Sequence, residues 1–402
     1  MRPSRILLVG MMGVGKTTVV NSILRILRAK GVRVLLCAPT GKAARRMRDL
    51  TGHEAMTIHR ALAYSPNEGG FQRGADWPLS QDYDLVIVDE ASMLSLELAD
   101  ALFEAAGDCH VLLVGDTDQL PPIGPGSVLA DLVASEVVPR VHLTAIYRQA
   151  ARSLIIQSAR RINAGEVPFL SFDEARAALG PEAEFDEDFY FIARHGPESL
   201  LETVVELVCD RIPARYGLDP RTEVMTLVPM RRGPVGLERL NEELERRLNP
   251  GERQVVLARA GLRVGSRIVQ TKNDYTVDRE VMNGEVAFLL DYDEDEGEVR
   301  LSLDEGEREV VVPVSALETY DLAWALTVHR SQGSQFPAVV APWSTAYAVM
   351  LSRALLYTAV TRAQRLCVLA GERNAVAVAL GRSARRRRNS ALAERIVDGA
   401  QG

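Results

Sequence analysis

A chain of 402 residues, 47% hydrophobic and 25% charged, has an ordinary globular composition with room for two to three domains, and no apolar run reaches the roughly 20 residues that span a bilayer. A net charge of −7 excludes holding nucleic acid through the field of the whole molecule, so such a partner needs a local basic track. Cys37, Cys109, Cys209 and Cys367 are too scattered for a disulfide framework or metal-ligand spacing, and the start runs straight into a strand pattern rather than a cleavable leader, so a cytoplasmic address is expected.

In chain order, apolar runs at 6–9, 32–37, 84–88 and 111–114 alternate with amphipathic stretches. Strands that read as continuous apolar runs are buried on both faces, which predicts an α/β domain with a helix-covered parallel sheet. Residues 64–77 interrupt it with a polar, turn-rich and aromatic segment that reads as a projecting hairpin. A helix is predicted at 153–164, then an acidic linker or lid at 173–188. Strands at 223–228 and 366–370 open and close a second α/β set, and between them β-branched alternation with Gly turns over 254–314 predicts a small inserted antiparallel barrel. The ten carboxylates of 291–298 and 304–309, and the basic run Arg385 to Arg388, read as solvated surface.

Three of these strands end in chemistry. Gly10-Met-Met-Gly13-Val14-Gly15-Lys16-Thr17-Thr18 satisfies GxxxxGK[ST] between an apolar strand and a helical pattern, the context in which backbone N–H groups cradle phosphates. There Lys16 neutralises phosphate oxygens and Thr17 offers a hydroxyl to Mg²⁺. The run 85–88 ends in Asp89 and Glu90; Asp89 suits the Mg²⁺ shell, and Glu90 suits a base that activates water. That carboxylate invites water, which argues against a small-molecule kinase and for a nucleoside-triphosphate hydrolase that drives other work. After 111–114, Gln119 is placed to sense the γ-phosphate.

Eight blocks then occur in order: the phosphate loop, "CAPTGKAARRM" (37–47), "TIHRAL" (57–62), "VIVDEASM" (86–93), "LVGDTDQLPPIGPG" (113–126), "LTAIYRQ" (143–149), "ALTVHRSQGSQF" (325–336) and "LLYTAVTRAQ" (355–364). The series resembles superfamily 1 DNA helicases of the RecD-like branch. The resemblance implies two RecA-like P-loop NTPase domains, 1–140 and 141–402, with a hairpin insertion at about 63–82 in the first and an SH3-like barrel at about 255–318 in the second. It implies that ATP and Mg²⁺ lie between the domains, contacted by Gly333 and by Arg148 and Arg362, arginines presented by the second domain. It implies a path for single-stranded DNA over Pro39, Thr40, Lys42 and His59 in the first domain and Thr327, His329 and Ser331 in the second. Phe71 and Trp77 would be wedge or stacking residues on the hairpin, and Lys272, Asn273 and Tyr275 a strand-contacting edge of the barrel.

The resulting expectation is a monomeric ATP-dependent helicase and translocase that travels 5′ to 3′ on single-stranded DNA, opens junctions with duplex in repair or recombination, and has no membrane partner. The alternatives are an ATP-gated DNA-binding subunit that hydrolyses slowly without unwinding, and a P-loop kinase. The chain departs from the family in its Met-Met phosphate loop and in having only Met1 to Arg5 before the first strand, where the resemblance implies an adenine-reading glutamine. Weak discrimination among ATP, GTP and CTP is therefore also expected.

Overall fold

The computed structural model describes residues 4–251, 262–274, 281–303, 306, 308–382 and 390–401. The chain forms two compact units, Met1–Arg152 together with Ser383–Gly402, and Ser153–Arg382. No helix among the described residues is long and apolar enough to cross a membrane.

The first unit is built on six strands, β1 (Arg5–Gly10), β2 (Val34–Ala38), β3 (Ala55–Thr57), β6 (Leu85–Val88), β7 (His110–Gly115) and β8 (Arg140–Leu143), in the order β3-β2-β6-β7-β1-β8. Every ladder in it is parallel. Parallel pairing requires crossovers, and these are the helices α1 (Lys16–Ala29), α2 (Gly41–Thr51), the short α3 (Ile58–Ala61), α4 (Leu96–Ala106) and α5 (Val128–Ser135). Leu7, Val9, Val86, Val88, Val111 and Leu113 face one core, while Leu8, Ile87, Leu112 and Val114 face another together with Val20 and Leu24 of α1. The period of two thus covers both faces of the sheet, and truncating one of these leucines to alanine is expected to cost ~2–5 kcal/mol.

Between β3 and β6, β4 (Tyr64–Ser65) and β5 (Gly70–Phe71) form a two-stranded antiparallel ladder in the expected hairpin region. The boundary expected after residue 140 lies instead after Arg152. The reason is β8, which pairs with β1 in the register Gly10↔Leu143 and carries the chain onward into α6 (Arg148–Arg152). The C-terminal helix Leu392–Gln401 also belongs to this unit: Leu392 and Ile396 pack on its core, and Ser390 Oγ donates to Asp131 on α5 at 2.6 Å.

The second unit has its own parallel sheet of β9 (Phe189–Ala193), β10 (Val224–Val228), β16 (Ala325–Thr327), β17 (Phe336–Trp343) and β18 (Ala363–Gly371), ordered β16-β10-β17-β18-β9. The predicted helix is present as Leu154–Ala164, capped by the Ser153 hydroxyl. The segment read as an acidic linker is partly helical, Phe172–Leu179. There Ser171 Oγ accepts from Glu174 N and the Glu174 carboxylate accepts from Leu170 N, a reciprocal cap.

Inserted after β10 is a five-stranded antiparallel sheet, ordered β14-β13-β12-β11-β15, from β11 (Arg267–Gln270), β12 (Val286–Asp293), β13 (Glu298–Leu303), β14 (Arg308–Pro313) and β15 (Tyr320–Leu322). Alternate residues such as Val299, Leu301 and Leu303 fill a separate core. The end strands β14 and β15 share no ladder among the described residues. A buried carboxylate fixes this sheet to the rest of the unit: Glu245 accepts from Ser266 Oγ at 2.7 Å, from Asn249 Nδ2 at 2.7 Å and from the Trp324 indole.

Candidate nucleotide and nucleic-acid sites

Because the first sheet is wholly parallel, the loops after β1, β2, β3, β6, β7 and β8 all emerge at one edge, where open α/β sheets bind ligands. The loop after β1 wraps onto the start of α1, whose first turn contains no acidic residue to offset the positive end of the helix. Gly10 is confined: a Cβ there would sit 2.7 Å from Val14 Cγ2 and 2.8 Å from the Leu143 carbonyl oxygen. Gly15 caps α1 with φ +83°, and its Cβ would lie 2.9 Å from the ring of Tyr147. Gly13 also has positive φ, so the Met11-Met12 step leaves the turn itself to glycines. Lys16 Nζ donates to the carbonyl oxygens of Gly10 and Met11 at 2.6 and 2.9 Å, which holds its ammonium within the loop. Thr17 and Thr18 follow it in the first turn of α1.

At the end of β6, Asp89 N donates to the Cys37 carbonyl oxygen at 3.0 Å, extending the sheet pairing one residue beyond the strand. Burial and the adjacent Glu90 carboxylate push the Asp89 carboxyl up to about 6. Glu90 adopts φ +51°, a left-handed conformation that side chains other than glycine rarely take, and is 8% exposed. Such a conformation costs on the order of 1–3 kcal/mol and concentrates at functional sites. Arg46 Nη1 of α2 lies 3.6 Å from Glu90 Oε1. After β7, the buried Asp116 carboxylate accepts from Asp118 N at 3.0 Å and from Gln119 Nε2 at 3.5 Å, which sets the direction of the Gln119 side chain.

Arg148 was expected from the second unit, but its backbone opens α6 in the first, since the chain reaches it directly from β8. Its side chain lies outside the described residues. Tyr147 next to it, Arg46 and Asp116 are the residues that motif reading passed over. Each lies inside a quoted block, one or a few positions from a residue that was chosen.

Pro39 and Thr40 follow β2, where Thr40 Oγ1 caps α2 by accepting from Ala43 N at 3.3 Å; Lys42 lies in the first turn of the helix. His59 follows β3 and packs against Tyr64 and Phe71 of the hairpin with ring centroids 5.5 and 5.6 Å away. Burial holds its imidazole below the usual histidine range. Phe71 is partly buried in an aromatic cluster, with Tyr64 at 5.1 Å. Trp77 is the more open aromatic, 43% exposed beneath the Arg73 guanidinium at 4.4 Å.

In the second unit, Thr327 ends β16 and its hydroxyl accepts from Arg330 N at 3.3 Å. Burial lowers the His329 imidazole as it does His59. Ser331 is fully buried and donates its hydroxyl to the Val328 carbonyl oxygen at 2.8 Å, so its hydroxyl is turned inward. Gly333 continues the same turn with positive φ. Arg362, just after the helix Arg353–Val360, is 2% exposed and donates from Nη1 to the Ser334 carbonyl oxygen at 3.1 Å. Lys272 is exposed, while Asn273 Oδ1 accepts from Asn283 N at 2.8 Å; Tyr275 and the basic run 385–388 lie outside the described residues.

The family model described as an AAA domain matches residues 3–179, and that of the UvrD-like helicase C-terminal domain matches 322–370. The chain is 40% identical to the ATP-dependent RecD2 DNA helicase of Deinococcus radiodurans over 97% of its length and half of that protein's. It is 31% identical to the RecBCD enzyme subunit RecD of Mycolicibacterium smegmatis over 94% of this chain and 70% of that one. The chain therefore spans only about half the length of the Deinococcus relative. The Bacteroides Pif1 helicase solved with ADP-AlF3 and single-stranded DNA shares the fold, at a TM-score of 0.54 and 19% identity over 91% of this chain and 88% of that one.

Proposed function

Because this chain belongs to the RecD-like family of superfamily 1 DNA helicases, we propose that it is an ATP-dependent helicase and translocase moving 5′ to 3′ on single-stranded DNA and opening its junctions with duplex. The observation that carries this reading is the placement of Asp89 and strained, buried Glu90 at the same sheet edge as the Lys16 loop, which pairs a phosphate grip with a means of using water. In this reading the two parallel sheets are the RecA-like domains, the 64–71 ladder is the base of a strand-separating pin, and the five-stranded insertion is the SH3-like module.

Lys16 exchanges the Gly10 and Met11 carbonyls for phosphate oxygens, a charge-assisted contact stronger than the one it leaves. Thr17 and Asp89 would hold Mg²⁺, and Asp89 is raised first by burial and then by the adjacent Glu90 carboxylate, both of which a bound cation would offset. The ion supplies charge neutralisation at the phosphates. Glu90 orients the attacking water and accepts its proton, and Gln119, aligned by Asp116, senses the terminal phosphate. Arg148 and Arg362 supply guanidinium charge to the transferring group. Backbone phosphates are held by Thr40, Lys42 and His59 in the first unit and by Thr327 and His329 in the second.

The test is the rate of ATP hydrolysis with and without single-stranded DNA, together with unwinding of 5′-tailed and 3′-tailed duplexes. Stimulated hydrolysis with displacement of the 5′-tailed duplex alone is expected. Stimulation without displacement would make the chain an ATP-gated DNA-binding subunit, and phosphate appearing on a small acceptor would make it a kinase.

A further inference from the structure

Helix α2 carries three arginines after its capping Thr40, and they divide their partners. Arg45 and Arg48 lie 3.9 Å from Asp49 on the outer side of the helix. Arg46 reaches instead across to the end of β6, 3.6 Å from Glu90 Oε1, and is the only ion-pair partner of Glu90 among the described residues. The pair is largely shielded, with the side chains 32% and 11% exposed, so solvent screens it less than the outer pairs. Arg46 also lies four residues after Lys42, which puts both on one face of the helix one turn apart. Ala43, Ala44 and Met47 are buried at 2–3% exposure, and a face packed this closely transmits displacement of the helix to its neighbours.

We propose that Arg46 is a positioning residue that holds the Glu90 carboxylate and ties it to the DNA-contacting start of α2, so that DNA engaged at Thr40 and Lys42 sets the rate at which Glu90 works. This rests on the reading of Glu90 as the water-activating carboxylate and of Thr40 and Lys42 as phosphate contacts. Glu90 cannot be oriented by its own backbone, whose φ of +51° comes with no side-chain cap. Among the described residues its ion-pair partner is Arg46, mounted on the helix that Thr40 caps. The device is a rigid element with one end at each site, which is what physical coupling between sites requires.

Full-length Arg46→Gln and Arg46→Lys proteins test this through kcat and KM for ATP, with and without saturating single-stranded DNA, and through DNA affinity by fluorescence anisotropy. Arg46→Gln is expected to lose DNA stimulation by a factor on the order of 5 to 150, the range of ordinary coupling between sites. Its KM and DNA affinity should stay within about twofold of the parent, as befits a residue that touches neither ligand. Arg46→Lys restores the charge but not the guanidinium fork and should recover part of the stimulation. Parent-like stimulation in Arg46→Gln overturns the proposal, as does a loss of DNA affinity that accounts for the lost rate. If the glutamine variant does not fold, undiminished stimulation in Arg46→Lys overturns it instead. A parent whose hydrolysis ignores DNA would remove the proposed function itself, whereas a responsive parent with a responsive Arg46→Gln removes only the role of Arg46.

Discussion

The two parallel sheets present their functional residues in different ways. At the edge of the first, charged groups are crowded: Lys16 rests on its own loop, burial pushes the Asp89 carboxyl up, and Glu90 sits in a strained turn with Arg46 as its ion-pair partner among the described residues. The second buries its counterparts in fixed contacts, with Arg362 donating to Ser334 and Ser331 to Val328. Both arrangements preorganise a charge, the first by contacts that a ligand can replace and the second by contacts to backbone carbonyls inside the unit. In the proposed function the first unit carries the phosphate grip and the water-activating carboxylate, and the second carries the guanidinium of Arg362.

The largest effect should come from the second unit. Arg362→Ala is expected to lower kcat on the order of 10³-fold or more with a modest change in KM for ATP, as removing an arginine finger does. Steady-state kinetics beside a thermal melt separates this from unfolding, and an unchanged kcat in a folded variant would erase the contrast. Next, Glu90→Gln should keep ATP and DNA binding while turnover falls ~10²–10⁴-fold, the usual contribution of a general base. Near-normal turnover would mean that the strained residue is structural.

A stability measurement sharpens the same comparison. Glu245→Leu would leave the Ser266 hydroxyl, the Asn249 amide and the Trp324 indole without their shared acceptor. A loss of ~2–4 kcal/mol is expected by urea denaturation, at about 1–3 kcal/mol for each buried donor left without an acceptor and with partial relaxation. A loss below ~1 kcal/mol would show that the insertion is not held by this carboxylate. At the edge of the first sheet, a proton competes with Mg²⁺ for Asp89. Since its carboxyl titrates at about 6, the Mg²⁺ needed for half-maximal hydrolysis should be flat above that pH and rise as pH falls through it. The rise is about tenfold per pH unit once the carboxyl is mostly protonated. An equal requirement at pH 8 and pH 5 would remove Asp89 from the metal shell.

What the sequence made legible follows from the physics of each part. The strands of the first sheet could be read because burial on both faces leaves uninterrupted apolar runs, and the phosphate loop because its chemistry is local. β17 could not, because Pro337 and Pro342 interrupt it, and proline argues against a central strand even though this one lies between β10 and β18. β8 escaped for the opposite reason: Arg140-Val-His-Leu143 is an exposed edge strand with no apolar signature. The order of the eight blocks made the family legible, but the Arg46 to Glu90 ion pair spans 44 positions, and no local pattern encodes it. The inward turn of the Ser331 hydroxyl likewise depends on a carbonyl that only the folded turn brings to it.

The smallest predicted effect separates charge from hydrogen bonding along the DNA path. His59 is held neutral near pH 7 by its burial against Tyr64 and Phe71, so it can offer a phosphate an N–H but no charge. Lys42, in the first turn of α2, carries an ammonium instead. Only a charge that neutralises a phosphate releases a counterion, so the two residues should differ in salt dependence even where they contribute similar affinity. Lys42→Gln should reduce the slope of log affinity against log salt for single-stranded DNA by about 0.7, the value for one phosphate contact. His59→Asn keeps a donor and should leave the slope unchanged while weakening binding by ~0.5–1.5 kcal/mol. The sign reverses in acid: below its lowered pKa the imidazole is protonated, and the slope of the parent, but not of His59→Asn, should steepen. Anisotropy titrations at several salt concentrations and two pH values decide the matter, and a slope that falls equally in both variants at pH 7 would mean that His59 is charged and its burial has been misread.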